Sequence, residues 1–119
     1  MNTAMSIWQQ ELHQGVQLLG VRGRLDQNLT PQLETSLTEL LDKGHHHLIV
    51  DLTEVNYINS GGLRCLVSAW RRARQQNGDV VLSGLNTRLD EIFSMVGFDK
   101  VFRIYPDPDA ALKGIGNGE

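Results

Sequence analysis

Two short, almost unbroken apolar runs, each followed by a segment with helical spacing, limit the folds that are open to this chain of 119 residues. The runs cover residues 48–52 (LIVDL) and 80–85 (VVLSGL). Apolar strands with little alternation are typical of a parallel sheet that is covered on both faces. Parallel neighbours require a crossover connection, which is usually a helix. The pattern therefore predicts an α/β domain with a mixed, mostly parallel sheet.

Three segments carry apolar residues at helical spacing. Intervals of three and four residues place side chains on one side of a helix, so each segment is predicted to turn one stripe towards the core. The stripes are Leu33, Leu37, Leu40 and Leu41; Leu63, Leu66, Val67 and Trp70; and Leu89, Ile92, Phe93 and Val96. Gly44 and Gly97 are expected to end the first and the third helix.

The two ends of the chain complete the order of elements. Residues 7–13 and 16–23 predict an N-terminal β-hairpin, and residues 101–105 predict a last strand. Asp107 followed by Pro108 predicts the start of a fourth helix. The predicted order is ββαβαβαβα, in a single domain over residues 1–119 with its core at about 5–113 and a flexible tail at 114–119.

Composition argues against several classes of protein. The formal net charge of -3 gives no sign of a nucleic-acid surface. Cys65 is the only cysteine, so the chain cannot form an internal disulfide or a thiolate metal cluster. The sequence shows no signal-peptide pattern and no apolar run near the ~20 residues of a membrane span. We therefore expect a cytoplasmic protein that does not insert into membranes.

The run His45-His46-His47 could suggest a metal site. Consecutive residues of a strand point to alternate faces, so three neighbouring imidazoles do not converge on one ion without distortion. A solvated turn is the better prediction, and we expect neither a metal nor another cofactor.

A serine and two glycines lie where the central strand gives way to the second helix, in the sequence INSGGL at residues 58–63. Ser60 is predicted to cap the helix by accepting a hydrogen bond from the amide of Gly62 or Leu63. Glycine in a helix costs up to about 1 kcal/mol relative to alanine, so Gly61 and Gly62 need a separate explanation. They could let a partner's backbone or a phosphate approach the helix end, or they could permit a tight turn.

A catalytic role for Ser60 has little support. The nucleophile elbow G-x-S-x-G requires glycine at position 58, where this chain has Ile58. A Walker loop is absent too, because INSGGLR lacks its lysine and its glycine spacing. We therefore predict no catalytic residue and no enzymatic activity.

Several stretches together match a known pattern. They are GRLD at residues 23–26, VDLTEVNYINSGGL at 50–63, LSGL at 82–85, VGF at 96–98, and Phe102. On these stretches the chain resembles, over about residues 5–113, the anti-sigma factor antagonists, which are small domains of the STAS class. The resemblance implies a STAS-like fold and a binding module.

The resemblance also implies a mechanism. In that family, the serine that matches Ser60 is phosphorylated by a serine kinase that is also an anti-sigma factor. The unphosphorylated antagonist binds this kinase and frees the sigma factor, phosphorylation breaks the complex, and a serine phosphatase restores it. Asp26 matches an acidic position near the phosphorylation site and the partner surface.

Two positions depart from the family pattern. Asn59 stands where aspartate is usual, and Gly61 stands where a second serine or threonine is common. The loss of a charge at position 59 bears on how a kinase places Ser60. The alternative is a STAS accessory subunit without a phosphorylation switch, in a signalling scaffold or a lipid-transport complex.

Helical geometry predicts which residues accompany Ser60 on the exposed side of its helix. Arg64 and Ser68 follow Ser60 by one and two helical turns, away from the predicted apolar stripe. The predicted partner-binding residues are Asp26, Asn59, Gly61, Gly62, Arg64 and Ser68. Arg64 could equally be a solvated charge, and Asp26 could equally end a strand and cap a turn. Cys65 is expected to be partly buried rather than reactive.

Overall fold

The computed structural model describes residues 6–116, and its elements follow the predicted order. They are β1 (Ile7–Glu11), β2 (Gln17–Leu25), α1 (Thr30–Asp42), β3 (His47–Ile58), α2 (Ser60–Gln75), β4 (Asp79–Ser83), α3 (Thr87–Met95), β5 (Ile104–Tyr105) and α4 (Pro108–Gly116). Short 3-10 turns lie at His13–Gly15, between β1 and β2, and at Phe98–Lys100, after α3. The predicted α/β fold with the order ββαβαβαβα is confirmed.

Within the described residues the strands form one mixed sheet in the order β1-β2-β3-β4-β5. β1 runs antiparallel to β2, and each later pair of neighbours is parallel. Gln14 and Gly15 make the hairpin turn with φ angles of 65° and 75°, in the left-handed region that glycine adopts readily. Leu25, the last residue of β2, lies opposite Ile58, the last residue of β3. The C-terminal ends of these two strands therefore meet at one edge of the sheet.

The central strand β3 is apolar on both faces because both faces are covered. Leu48, Val50 and Leu52 belong to the larger core, which the sheet forms with α1, α2 and α3. Ile49 belongs to a second, smaller core on the opposite face, where it packs with Ala111 of α4. This two-sided burial is the physical reason for the unbroken run that predicted the strand.

Small residues bring α2 close to α1. Leu66 is fully buried, as its place in the predicted stripe requires. The other members of that stripe pack against the core but are only partly buried; they are Leu63, Val67 and Trp70. Cys65 and Ala69 are buried instead, and they line a small cavity together with Leu37 and Leu41 of α1. The buried side of α2 is therefore rotated towards α1 relative to the predicted stripe.

Phe102 joins the last part of the chain to the larger core. Its ring centroid lies 6.3 Å from that of Trp70 in α2 and 6.3 Å from that of Phe93 in α3. The ring of Phe98 lies 6.2 Å away, also in an edge contact. Edge-to-face contacts of this kind add to the stabilisation from burial.

The last strand is shorter than predicted. We expected a strand over residues 101–105, but β5 is Ile104–Tyr105. Phe102 belongs to the preceding turn instead, because its amide donates to the carbonyl of Phe98 at 3.0 Å. The apolar character of the segment thus comes from core packing and not from a longer strand.

Val96 does not face the core as predicted. It is 48% exposed, because α3 ends at Met95 and the chain turns at Gly97, whose φ is 81°. The other members of that stripe are buried or partly buried, as predicted.

The C-terminal helix is longer than predicted. α4 continues to Gly116, so residues 114–116 are helical and the predicted tail is wrong there. Gly114 is buried, and a Cβ at this position would collide with the ring of Tyr105, so the helix packs closely on β5. Residues 117–119 of the predicted tail, and residue 5 at the start of the predicted core, lie outside the described residues.

Candidate functional site

The junction between β3 and α2 lies at the edge of the sheet where the parallel strands end. The amide of Asn59 donates to the carbonyl of Leu25 at 3.0 Å, which joins the junction to the end of β2. α2 then begins at Ser60. Open α/β sheets bind their ligands at this edge. The INSGGL sequence therefore occupies a position in the fold where a binding site is expected.

Asn59 caps α2. Its Oδ1 accepts a hydrogen bond from the amide of Gly62 at 2.8 Å and one from the hydroxyl of Thr30 at 3.4 Å. The prediction that Ser60 caps the helix is wrong. Because β3 reaches Ile58, Asn59 is the extended residue before the helix, and Ser60 is already its first helical residue.

Because Asn59 supplies the cap, the hydroxyl of Ser60 is not needed to start the helix. Ser60 is exposed, and its side chain forms no hydrogen bond with any residue in 6–116. The first N–H groups of a helix lack acceptors within the helix. Those of Ser60 and Gly61 donate no hydrogen bond elsewhere in the described part of the chain. One hydroxyl and two N–H groups are thus available to a ligand.

The two glycines serve different purposes. A Cβ on Gly62 would lie 2.7 Å from Cγ1 of Ile58, so glycine lets the first turn pack on the end of β3. Gly62 is buried and its amide is bound by Asn59, so it does not lie on the predicted partner surface. A Cβ on Gly61 would meet no atom closer than 3.4 Å. Close packing explains Gly62, whereas a Cβ at position 61 would make only ordinary van der Waals contacts.

Asp26 organises the turn that faces the junction from the β2 side. Its Oδ1 accepts hydrogen bonds from the amide of Asn28 at 2.9 Å and from the amide of Leu29 at 3.1 Å. Both bonds lower the pKa of the Asp26 carboxyl because they favour its ionised form, and the bond from Leu29 has the larger effect. Asp26 therefore caps the turn before α1, which was one of the two roles left open by the sequence.

Arg64 and Ser68 lie exposed along α2 beyond Ser60, as predicted. They line an open groove between α1 and α2, together with Thr30, Glu34, Gly61 and Cys65. Arg64 takes part in no ion pair within residues 6–116. The groove therefore carries an unpaired positive charge close to Ser60.

Cys65 forms part of this groove but is not a reactive thiol. It is 8% exposed, and burial, together with the negative charge of Glu34, raises its pKa to about 12. Only the thiolate is a good nucleophile, and it is scarce near neutral pH at such a pKa. The expected burial of Cys65 is confirmed.

Sequence reasoning missed one pair at this edge of the sheet. The guanidinium of Arg24 stacks on Tyr57, with its carbon 4.1 Å from the ring centroid. These two residues face each other across β2 and β3, immediately before Leu25 and Ile58. Their pairing depends on the strand register, which includes a shift between Gly23 and Arg24, so no local pattern could have indicated it.

Neither a membrane span nor a metal cluster occurs among residues 6–116. No helix there combines the length and the apolar character that a bilayer crossing requires. No group of three or more His, Cys, Asp or Glu side chains is placed to hold a metal ion. His47 lies exposed at the start of β3, at the opposite end of that strand from Ser60.

Known proteins share both the sequence pattern and the fold. The STAS domain model matches residues 8–111. The anti-sigma-B factor antagonist of Listeria monocytogenes is 34% identical over 84 residues, which make up 71% of this chain and 74% of that protein. The crystal structure of an anti-sigma factor antagonist from Mycobacterium paratuberculosis is 27% identical, with a TM-score of 0.80 and coverage of 92% of this chain and 93% of that chain. The phosphorylated form of the Bacillus cell fate determinant SpoIIAA has the same fold at 13% identity, with a TM-score of 0.74 and coverage of 92% and 98%.

Proposed function

Since this chain belongs to the STAS domain family, whose model matches residues 8–111, we propose that it is an anti-sigma factor antagonist switched by phosphorylation. The unphosphorylated chain binds an anti-sigma factor that is also a serine kinase, and this binding releases a sigma factor. Phosphorylation of Ser60 by that kinase ends the binding, and a serine phosphatase restores it. These encounters take place in the cytoplasm, and the chain acts in them as a binding module and not as an enzyme.

One observation carries the proposal, namely the exposed hydroxyl of Ser60 at the first turn of α2. It makes no hydrogen bond within the described residues, and it lies at the sheet edge where this class of fold binds ligands. A kinase can reach such a hydroxyl without opening the domain. The relatives named as anti-sigma factor antagonists support the antagonist role.

The fold tolerates a phosphate at this position. Phosphorylation adds about -1.5 to -2 charges. At a helix N-terminus a negative charge is stabilised by about 0.3–1 kcal/mol through the helix dipole. Because Asn59 supplies the cap, modification of Ser60 removes no hydrogen bond that starts the helix. The phosphorylated domain is therefore expected to stay folded.

The phosphate is expected to weaken the binding of the domain to its partner. A dianion pressed into an interface must lose water, and an uncompensated buried charge costs several kcal/mol. A loss of about 4 kcal/mol weakens affinity roughly a thousandfold. Phosphorylation can thus abolish the complex while it leaves the domain intact.

Asn59 keeps the helix start despite its departure from the family pattern. Its side-chain oxygen accepts the capping bond, a task that a carboxylate oxygen also performs. The change to asparagine removes a charge beside Ser60 but not the geometry that displays the hydroxyl. Asn59 therefore bears on the rate of phosphorylation rather than on access to the site.

The first experiment maps the modified residue. The protein is incubated with ATP and the anti-sigma factor kinase of the same organism, and the phosphate is located by mass spectrometry. We expect modification at Ser60, its loss in Ser60→Ala, and its retention in Ser68→Ala, a matched exposed serine on the same helix. A bare Ser60 would favour the accessory subunit without a switch.

A second measurement tests the effect on binding. Ser60→Asp is expected to lose affinity for the anti-sigma factor by about a hundredfold or more, because a charge enters the interface. Its circular dichroism and thermal midpoint should match those of the wild type. Equal affinities of Ser60→Asp and wild type would contradict the switch.

A further inference from the structure

We propose that Arg64 binds the phosphate of phosphorylated Ser60 within the same helix. The inference rests on the proposed function, because it concerns the phosphorylated state. Arg64 then has two alternating positions: it faces a partner in the unphosphorylated protein, and it is held on the first turn of α2 once Ser60 is modified.

The reach of Arg64 supports this pairing. Side chains four residues apart lie on one face of a helix, with Cβ atoms about 5–6 Å apart. The guanidinium of Arg64 already folds back towards the start of α2, because its Nη2 lies 3.9 Å from the position that a Cβ on Gly61 would occupy. Gly61 directly follows Ser60, so the guanidinium lies over the first turn of α2, to which Ser60 also belongs.

Arg64 is free to take a new partner. The ion pairs of the described residues join Arg22 to Glu54, Arg72 to Asp42 and Arg103 to Asp79. The side chain of Arg64 takes part in none of these pairs and in no hydrogen bond within residues 6–116, and it is exposed. Binding a phosphate would therefore break no existing contact of the folded chain.

The first turn provides the rest of the phosphate's surroundings. Gly61 has no side chain, and the nearest atoms to a Cβ there would be Oδ1 of Asn59 at 3.4 Å and Cγ2 of Thr30 at 3.7 Å. The amides of Ser60 and Gly61 are unused, as described above. Arginine donates two parallel hydrogen bonds to a phosphate, which is stronger and more directional than one ammonium contact.

Other charges face the same place from neighbouring elements. Glu34 of α1 lines the groove with Arg64, but within residues 6–116 the two side chains form no ion pair. Asp26 and Arg24 face the junction from the β2 side, while the buried thiol of Cys65 stays neutral. A phosphate carries up to twice the charge of a carboxylate, so Arg64 favours phosphorylated Ser60 over Glu34.

If Arg64 binds the phosphate, phosphorylation changes two charges on the surface that faces a partner. Phosphorylation adds a negative group, and the same event withdraws the positive charge of Arg64 from a partner. A partner that uses an acidic group to contact Arg64 is then opposed by the phosphate and also loses its own contact.

The test uses phosphoserine incorporated at position 60 during translation, so that no kinase is needed. Phosphorus NMR follows the second ionisation of the phosphate with pH in wild type, Arg64→Gln, Arg64→Lys and the control Arg71→Gln. Arg71 is an exposed arginine in the far half of α2. Because a nearby guanidinium favours the dianion, we expect the phosphate pKa to be about half a unit higher in Arg64→Gln than in wild type.

The remaining variants give the test its controls. Arg64→Lys should fall between wild type and Arg64→Gln, since lysine keeps the charge but not the two parallel hydrogen bonds. Arg71→Gln should match wild type. The same phosphate pKa in wild type and Arg64→Gln would overturn the inference.

The two proposals fail in different ways. If the kinase leaves Ser60 bare, the proposed function fails, while the titration still measures the pairing in the translated phosphoprotein. If the kinase modifies Ser60 but the titration curves of wild type and Arg64→Gln coincide, only the role of Arg64 is lost.

Discussion

The carboxylate of Asp26 helps to fix the geometry of the candidate site. Its Oδ1 holds the turn between β2 and α1 through two backbone amides. That turn faces the start of α2 because Leu25, the residue before Asp26, accepts the hydrogen bond of Asn59. The ionised, partly buried carboxylate of Asp26 thus contributes to the position of the α1 end of the groove.

The pKa of Asp26 leads to a prediction about pH. A carboxyl group whose pKa is lower in the folded state stabilises the fold above its unfolded pKa of about 3.9, and this contribution is lost as the pH falls through the folded value. Asp26→Asn should therefore have a lower urea midpoint than wild type at pH 7, and the gap should narrow below about pH 4. Urea unfolding at pH 7 and pH 3 measures both.

The control for this prediction is Asp99→Asn. Asp99 is exposed, and its side chain makes no hydrogen bond within the described residues, so the substitution should leave the midpoint unchanged at pH 7. A gap between wild type and Asp26→Asn that is equally wide at both pH values would show that the charge of Asp26 does not contribute.

At the scale of elements, the start of α2 separates two tasks between neighbouring residues. Asn59 holds the helix through its bond to Gly62, and Ser60 displays a hydroxyl that no other group of the described chain uses. A serine that capped the helix would need its hydroxyl oxygen for that bond, and a kinase would have to break it. A modification of the Ser60 hydroxyl would therefore leave the cap of α2 in place.

This separation predicts opposite outcomes for two alanine substitutions. Asn59→Ala should lower the free energy of unfolding by about 1 kcal/mol, because it removes the capping acceptor. Ser60→Ala should change it by less than about 0.5 kcal/mol, as expected for an exposed side chain without contacts. Urea unfolding of the three proteins gives both values. A larger effect for Ser60→Ala than for Asn59→Ala would contradict the assignment of the cap.

At the scale of the whole molecule, the sheet has a larger core on one face and a smaller core on the other. The candidate site lies at the carboxyl end of the sheet, where Ile58 and Cys65 of the larger core border it. The central strand contributes side chains to both cores, and this packing on its two faces holds the junction at its end in place. The last part of the chain is tied to the larger core through Phe102, which contacts rings of α2 and α3.

Phe102 is therefore predicted to be a major source of stability. Phe102→Ala should lower the free energy of unfolding by about 3–5 kcal/mol, the usual range for a buried phenylalanine. Met95 is 81% exposed, so Met95→Ala should change it by less than about 0.5 kcal/mol. Trp70 lies against Phe102, so tryptophan fluorescence together with circular dichroism can follow unfolding of this region. A cost below 1 kcal/mol for Phe102→Ala would show that the aromatic cluster is not a central part of the core.

Local patterns in the sequence determined the elements and their order. Hydrophobic spacing is set by the geometry of a helix or a strand, so the stripe of α1 and the apolar run of β3 could be read without knowledge of distant contacts. The same holds for the placement of Ser60 between a strand and a helix. The sequence by itself therefore sufficed for the fold class and for the location of the candidate site.

Only the tertiary structure showed which residue of the junction caps the helix and which glycine is buried. β3 extends to Ile58 because it pairs with β2, and the local sequence pattern does not show this pairing. As a result, the helix is capped by Asn59 and not, as the sequence had predicted, by Ser60. The position at which β3 ends also places the side chain of Ile58 against Gly62, which is buried, and not against Gly61. Propensity and spacing act over a few residues, whereas strand register joins residues more than thirty positions apart, such as Leu25 and Ile58. Only the folded chain could therefore show that Asn59 caps the helix and that Ser60 does not.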